Sequence, residues 1–166
     1  APMYDLPPVA REGVTCIACH RIREWYGKTN GERRIEPGDV YAPMYGPFGG
    51  DGVAQVVDEK AKFKVKTSPD ETGPGQPMHA AAFSFPQLSH ASFCTSCHQV
   101  AVYPGIKLEV VWEQYRASPA CKKGISCQDC HMGRIPGVPS GYEYGPAALI
   151  NKKDVHPSRK HSNHVF

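Results

Sequence analysis

One five-residue unit constrains this chain more than anything else in it: Cys-x-x-Cys-His, which occurs three times. The copies are Cys16-Ile17-Ala18-Cys19-His20, Cys94-Thr95-Ser96-Cys97-His98 and Cys127-Gln128-Asp129-Cys130-His131. At the chain's own Cys and His frequencies one such unit is expected about 0.01 times by chance, so three copies are not accidental. Two Cys three positions apart lie on one turn of a helix, where both thiols can form thioethers to the vinyl groups of one haem. The next residue, His, is then held beneath the iron. The pattern predicts three covalently attached haem c groups. Their attachment residues are Cys16, Cys19, Cys94, Cys97, Cys127 and Cys130, and their proximal ligands are His20, His98 and His131.

Rival uses of the same thiols explain less. A zinc ribbon pairs two Cys-x-x-Cys units around one ion, which leaves the third unmatched and gives no reason for a His after every pair. A thioredoxin-like redox pair wants one motif between a strand and a helix, not three in a Gly/Pro-rich chain. A disulfide framework has no use for the fixed His.

The rest of the composition asks for such a cofactor. A chain of 166 residues and 18.2 kDa fits one domain or two small lobes. It carries 16 Gly and 16 Pro, and its 40% hydrophobic residues include seven Cys, so the aliphatic core is thin. Three haems would supply the missing apolar bulk. No apolar run approaches the ~20 residues of a membrane span, which excludes a direct transmembrane helix. Charge is +3 from 19 basic and 16 acidic residues, scattered along the chain, which argues against nucleic acid as a partner. Each ferric haem would bring about one positive charge and two negative propionates, moving that sum to about zero. Haem joins thiols where export delivers both, so the expected location is periplasmic or extracellular. The start, Ala1-Pro2-Met3-Tyr4-Asp5, is then what a removed signal peptide leaves.

Five further His remain: His79, His90, His156, His161 and His164. Three distal positions need ligands, and bis-His coordination of all three irons is the expectation. Met would raise the potential, but Met132 follows its own proximal His, Met78 adjoins His79, and Met3 and Met44 lie in Pro-rich coil. His90 stands too close to Cys94 to swing over the same haem, so it should reach a neighbouring one. His79 has slack to serve any ring. In the tail, His164 is favoured with His161 as its alternative, while His156 precedes a Pro and reads as a surface residue. Cys121 has no uncommitted partner within the chain and reads as a buried thiol, with an intermolecular link as the alternative.

About 75 residues separate the first two motifs and about 30 the last two. That spacing suggests a looser lobe over 1–75 with the first haem and a tighter lobe over 76–166 with the other two. The expected fold class is mainly α with extensive coil around the haems, with at most a small β-hairpin near 53–66. Within that stretch Lys60 to Lys66 alternates Lys with apolar residues, the period of an edge strand. Pro37 to Gly52 and Thr67 to Pro77 read as coil. Lys107 to Arg116 reads as a helix, because Leu108, Val111, Trp112 and Tyr115 form one apolar stripe. Its Trp112 and Tyr115 should pack on a haem face. Ser126, with Asp129 three places on, signals a capping box for the third motif.

The stretch Leu88 to Gly133 resembles multihaem cytochromes c related to the hydroxylamine oxidoreductase and octahaem reductase group and to extracellular multihaem electron carriers. The matching residues are His90, Cys94-Thr95-Ser96-Cys97-His98-Gln99, Trp112-Glu113-Gln114-Tyr115, Ser118-Pro119 and Gly124 to Met132. The ending Asn163-His164-Val165-Phe166 is similar to the His-x-Phe segment that supplies a distal ligand there. The resemblance covers about half the chain and implies stacked bis-His haems acting as an electron wire. No Cys-x-x-Cys-Lys occurs, so it gives no sign of the special catalytic haem of the nitrite reductase branch. Relatives usually run on to further haems, so a fragment or a subunit of something larger is the expectation at Phe166.

The functional expectation is an electron carrier without a substrate of its own. Its partners would be redox proteins, including other multihaem cytochromes or copies of itself. The alternatives are a redox enzyme acting on a small nitrogen or sulfur compound at one five-coordinate haem, and a haem-wire subunit of a filament or larger complex.

Overall fold

Pro and Gly interrupt this chain so often that no regular element grows long. The computed structural model describes every residue except 1–4, 6, 9–13, 28, 136 and 165–166; Met3 and the terminal Phe166 therefore lie outside the described residues. Among the described residues seven α-helices account for most of the 31% helical content, and twelve strands supply the 24% in strand. This corrects the expectation of a mainly α chain with at most one hairpin. The strands are two to four residues long and join only in pairs, giving four antiparallel and two parallel two-stranded sheets. Pairs this short carry no readable period-2 pattern; they zip wherever the coil doubles back on itself.

In chain order, α1 (Cys16–His20) leads into β1 (Ile22–Trp25), which pairs antiparallel with β2 (Arg33–Ile35). After β3 (Met44–Gly46), the longest helix, α2 (Asp51–Asp58), is followed by α3 (Lys60–Phe63). The expected hairpin near 53–66 is thus helical. Gly52 and Val56 are buried at helical spacing, Phe63 is fully buried, and Lys64 turns the chain at φ 54°. Only β4 (Val65–Lys66) is extended there, and it runs parallel to β5 (Gln76–Pro77). β3 runs parallel to β6 (Ala82–Ser84), so the two stretches expected to be coil each contribute strand residues.

Two 3-10 turns, Pro86–Ser89 and Ala91–Cys94, deliver the chain to α4 (Thr95–His98). Beyond it β7 (Val100–Val102) pairs with β8 (Ile106–Glu109) through a turn in which Gly105 sits at φ 108°. The predicted helix therefore begins late: Lys107 to Glu109 is strand, Leu108 stands 66% exposed, and α5 runs Val111–Ala117. Trp112 and Tyr115 stack with ring centres 5.5 Å apart. α6 (Pro119–Lys122) and α7 (Cys127–His131) follow, and then two pairings, β9 (Glu143–Gly145) with β12 (Arg159–His161) and β10 (Ala148–Ile150) with β11 (Lys153–Val155).

Two small apolar clusters hold these pieces. Val56, Phe63, Val65 and Val155 form one, with Met78 packed on it. Ile22, Phe85 and Phe93 form the other, against Cys19, Trp25 and Tyr45, so this second cluster lies beside the first two motifs. The chain exposes 10806 Å², where a folded chain of its mass exposes about 8,100 Å². Large apolar side chains stand bare near each motif, among them Ile17 at 61% and Ile135 at 58%. The polypeptide alone is under-packed, as the composition anticipated.

Candidate metal centres

The first and third Cys-x-x-Cys-His units each form one α-helical turn, and the second runs from the end of a 3-10 turn at Cys94 into α4. The third turn is the best capped. Ser126 accepts from the Asp129 N–H at 3.2 Å, and Asp129 accepts from the Ser126 N–H at 2.7 Å, completing the capping box. The Tyr142 hydroxyl donates to the other Asp129 oxygen at 2.8 Å. Burial pushes the Asp129 carboxyl up, but these donors outweigh it and hold the group below the usual carboxylate range. Burial and then Asp129 push the Tyr142 phenol up to about 12.

The long sequence gap between the first two motifs closes in space. Asn30, in the loop after β1, donates its side-chain N–H to the Ala101 carbonyl at 2.7 Å, and its side-chain oxygen accepts from the Ala101 N–H at 2.8 Å. Arg33 on β2 donates to Ser96 Oγ at 2.9 Å and to Cys97 Sγ at 2.7 Å. The hairpin that follows the first motif is thereby clamped onto the second. Gln128 of the third motif is buried and donates to the Leu88 and His90 carbonyls at 3.0 and 2.9 Å, which ties α7 to the approach of α4.

The thiols consequently sense one another. Cys94 and Cys127, from different motifs, lie close enough to sense each other; that neighbour and burial drive the Cys94 thiol upward. The same contact brings Cys127 down to about 7. Burial raises Cys19, and Cys97 nearby adds to the effect. Cys121 is only half-buried, not fully enclosed as expected, and it neighbours the Tyr115 hydroxyl, which donates to the Ile125 carbonyl at 3.1 Å.

The motif histidines differ in what holds their rings. His20 Nδ1 lies 2.7 Å from the Tyr45 carbonyl, which can only accept, so the proton sits on Nδ1 and the lone pair on Nε2. His98 Nδ1 donates in the same way to the Glu109 carboxylate at 2.9 Å. His131 is exposed and has no side-chain hydrogen bond among the described residues. Fixing Nδ1 by an oxygen acceptor is how proteins orient an imidazole for a metal on the other nitrogen.

Two of the spare histidines come to His20. The His164 ring centre lies 6.1 Å from that of His20, with the planes at 35°, and its Nδ1 donates to the Ser162 carbonyl at 3.0 Å. Two imidazoles on opposite sides of one ion, each nitrogen about 2 Å from it, have ring centres about 6 Å apart. The tail reaches this position by way of the third motif, since the Asn163 N–H bonds the Met132 carbonyl at 2.9 Å. His79 is half-buried within electrostatic reach of His20. Burial first, then His20 and Arg21, push its imidazole down.

The other candidates lie elsewhere. His90 is exposed at the end of a 3-10 turn beside α7. His161 lines a cavity of about 260 Å³ with Arg134 and Glu143. His156 is exposed, its backbone N–H taken by Gln55 at 2.9 Å. Met78, set aside as a ligand, packs in the cluster around Phe63.

Among the described residues no group of three or more His, Cys, Asp or Glu is disposed to hold a bare ion. A haem iron needs only one protein ligand on each face, so the relevant units are pairs. The donor set fits such an iron: fixed imidazoles with Nε2 available for it, paired thiols on one turn, and a second imidazole at matching separation. Arg21, which follows His20 directly, is 3% exposed and its buried Nη2 has no partner among the described residues. Its Nη1 donates to the Pro43 carbonyl at 2.7 Å, and no carboxylate among the described residues pairs with it, so a buried positive charge that a propionate would complement stands next to the first motif. Arg21 was not singled out from sequence; its position immediately after a proximal His was the only available signal.

Comparison with known proteins yields no match to any protein-family profile, curated protein or solved structure.

Proposed function

We propose that this chain is a trihaem c-type cytochrome that carries single electrons between redox partners. The observation that carries the reading is the threefold Cys-x-x-Cys-His unit. Its support in three dimensions is the convergence of the three helical turns, the Nδ1 protons of His20 and His98 held by oxygen acceptors, and the His20–His164 spacing. The resemblance to multihaem cytochromes c points the same way. When bound, the haems supply one-electron iron chemistry.

The chain's own part is attachment, orientation and charge. Six thiols would hold the rings, His20, His98 and His131 would each offer Nε2 to an iron, and Arg21 would offer countercharge near the first motif. His164 would be the second ligand for the iron of His20, and His90 and His79 would remain for the irons of His131 and His98. Thioether attachment would imply a periplasmic or extracellular protein, with redox proteins, other multihaem cytochromes or its own copies as partners.

A spectroscopic titration of the purified protein tests this. Visible spectra of oxidised and reduced protein should be low-spin throughout and unmoved by cyanide or nitrite. A high-spin component that shifts on adding either ligand would favour an enzyme with an open iron.

A further inference from the structure

The three motif histidines have three different partners at Nδ1: a neutral carbonyl from Tyr45 for His20, a carboxylate from Glu109 for His98, and no hydrogen bond among the described residues for His131. We infer that Glu109 is a positioning residue that sets the redox potential of the second site, holding it below the value His98 would otherwise give. The inference rests on the haem reading of Cys94–His98 above.

Its physical basis is the charge of the acceptor. A carboxylate on Nδ1–H draws that proton away from the ring, makes Nε2 a stronger donor and favours the oxidised metal. A carbonyl does this far less, because it carries no net charge.

The surroundings of Glu109 leave its charge uncompensated. Among the described residues it has no Lys or Arg within ion-pair distance, whereas the neighbouring Glu113 is neutralised by Lys107 at 2.7 and 2.8 Å. The β7–β8 hairpin explains why the pair is local. Glu109 ends β8, directly opposite Val100 at the start of β7, and Val100 lies two residues beyond His98. Strand pairing thus returns this carboxylate to the end of the motif helix, and its strand position rather than its sequence distance determines the contact. Read as part of a helix, Glu109 gave no sign of it.

The test is a spectroelectrochemical titration of the complete protein at fixed pH, with electron paramagnetic resonance of the oxidised form. Glu109→Gln keeps an acceptor oxygen and removes the charge. It should move one of the three midpoints upward and shift one low-spin signal, leaving the other two haems alone. The expected size is about three- to tenfold in the reduction equilibrium, the span between an exposed and a partly desolvated charged contact.

Glu113→Gln removes an equal charge that bonds Lys107 and Gln99 rather than His98, and should move the midpoints by less than Glu109→Gln does. If Glu109→Gln does not accumulate, Glu109→Asp, with its shorter reach, should give a smaller upward shift. Normal haem content with three unmoved midpoints overturns the inference, as does a Glu113→Gln shift as large as that of Glu109→Gln. Absence of c-type haem from the unsubstituted protein would instead overturn the cytochrome reading, and this inference with it.

Discussion

The rings of His20 and His164, from opposite ends of the chain, face each other with centres 6.1 Å apart. Neither lies there by chance of local structure. His20 is fixed by Tyr45 from β3, and the segment before His164 is fixed by Met132 just after the third motif. The pair closes the chain on itself at the first motif.

Replacing His164 by Ala should therefore open one iron. A high-spin component from about a third of the haem, with new cyanide binding, is expected in the visible spectrum. His161→Ala should leave the spectrum low-spin. High-spin haem in His79→Ala but not in His164→Ala would assign the distal ligand of His20 to His79 instead.

Before attachment the thiols should not react alike. Cys127 is lowered to about 7 by its contact with Cys94, while Cys94 and Cys19 are raised. The thiolate is the nucleophile, so alkylation of the haem-free chain near pH 7 should mark Cys127 well before Cys94 or Cys19. Its rate should climb as pH rises through about 7 and then level off. Peptide mass mapping after brief iodoacetamide treatment checks the order.

Much of this was open to reading from sequence where the chemistry is local. The motif turns and the Ser126–Asp129 box follow from residues three apart, and the exposed apolar side chains follow from a composition too poor to fill a core. What could not be read depends on distant partners. Lys107 to Glu109 has a helical stripe on paper, yet Val100 to Val102 captures it as a strand. Lys60 to Lys66 alternates like a strand, yet Phe63 and Val56 bury together only from helices. The clamps of Asn30 on Ala101 and Arg33 on Cys97 leave no trace in spacing, nor does the Cys94–Cys127 contact.

The cap on the third motif predicts a pH-dependent stability. Asp129 titrates lower in the folded chain than an unfolded carboxylate at about 3.9, so its contribution is present above that value and is lost as pH falls through the lowered folded value. Asp129→Ala should cost about 1 kcal/mol at neutral pH, measured by urea denaturation. The deficit relative to the unsubstituted protein should shrink in acid; a constant deficit would deny the carboxylate this role.

Gly133 is required directly behind that helix. A Cβ there would lie 2.5 Å from the Asp129 carbonyl and 2.9 Å from Ser140 Oγ. Gly133→Ala should push Ser140 and Val138 away from α7, lowering the thermal midpoint and loosening the Tyr142–Asp129 contact. An unchanged midpoint would show that this packing is slack.

Covalent haem is decided by the intact mass of the purified protein, read with its pyridine haemochrome spectrum. A red protein heavier than its polypeptide by three haems that survive acid-acetone extraction, with c-type absorption, is expected. A colourless protein at bare polypeptide mass would contradict it.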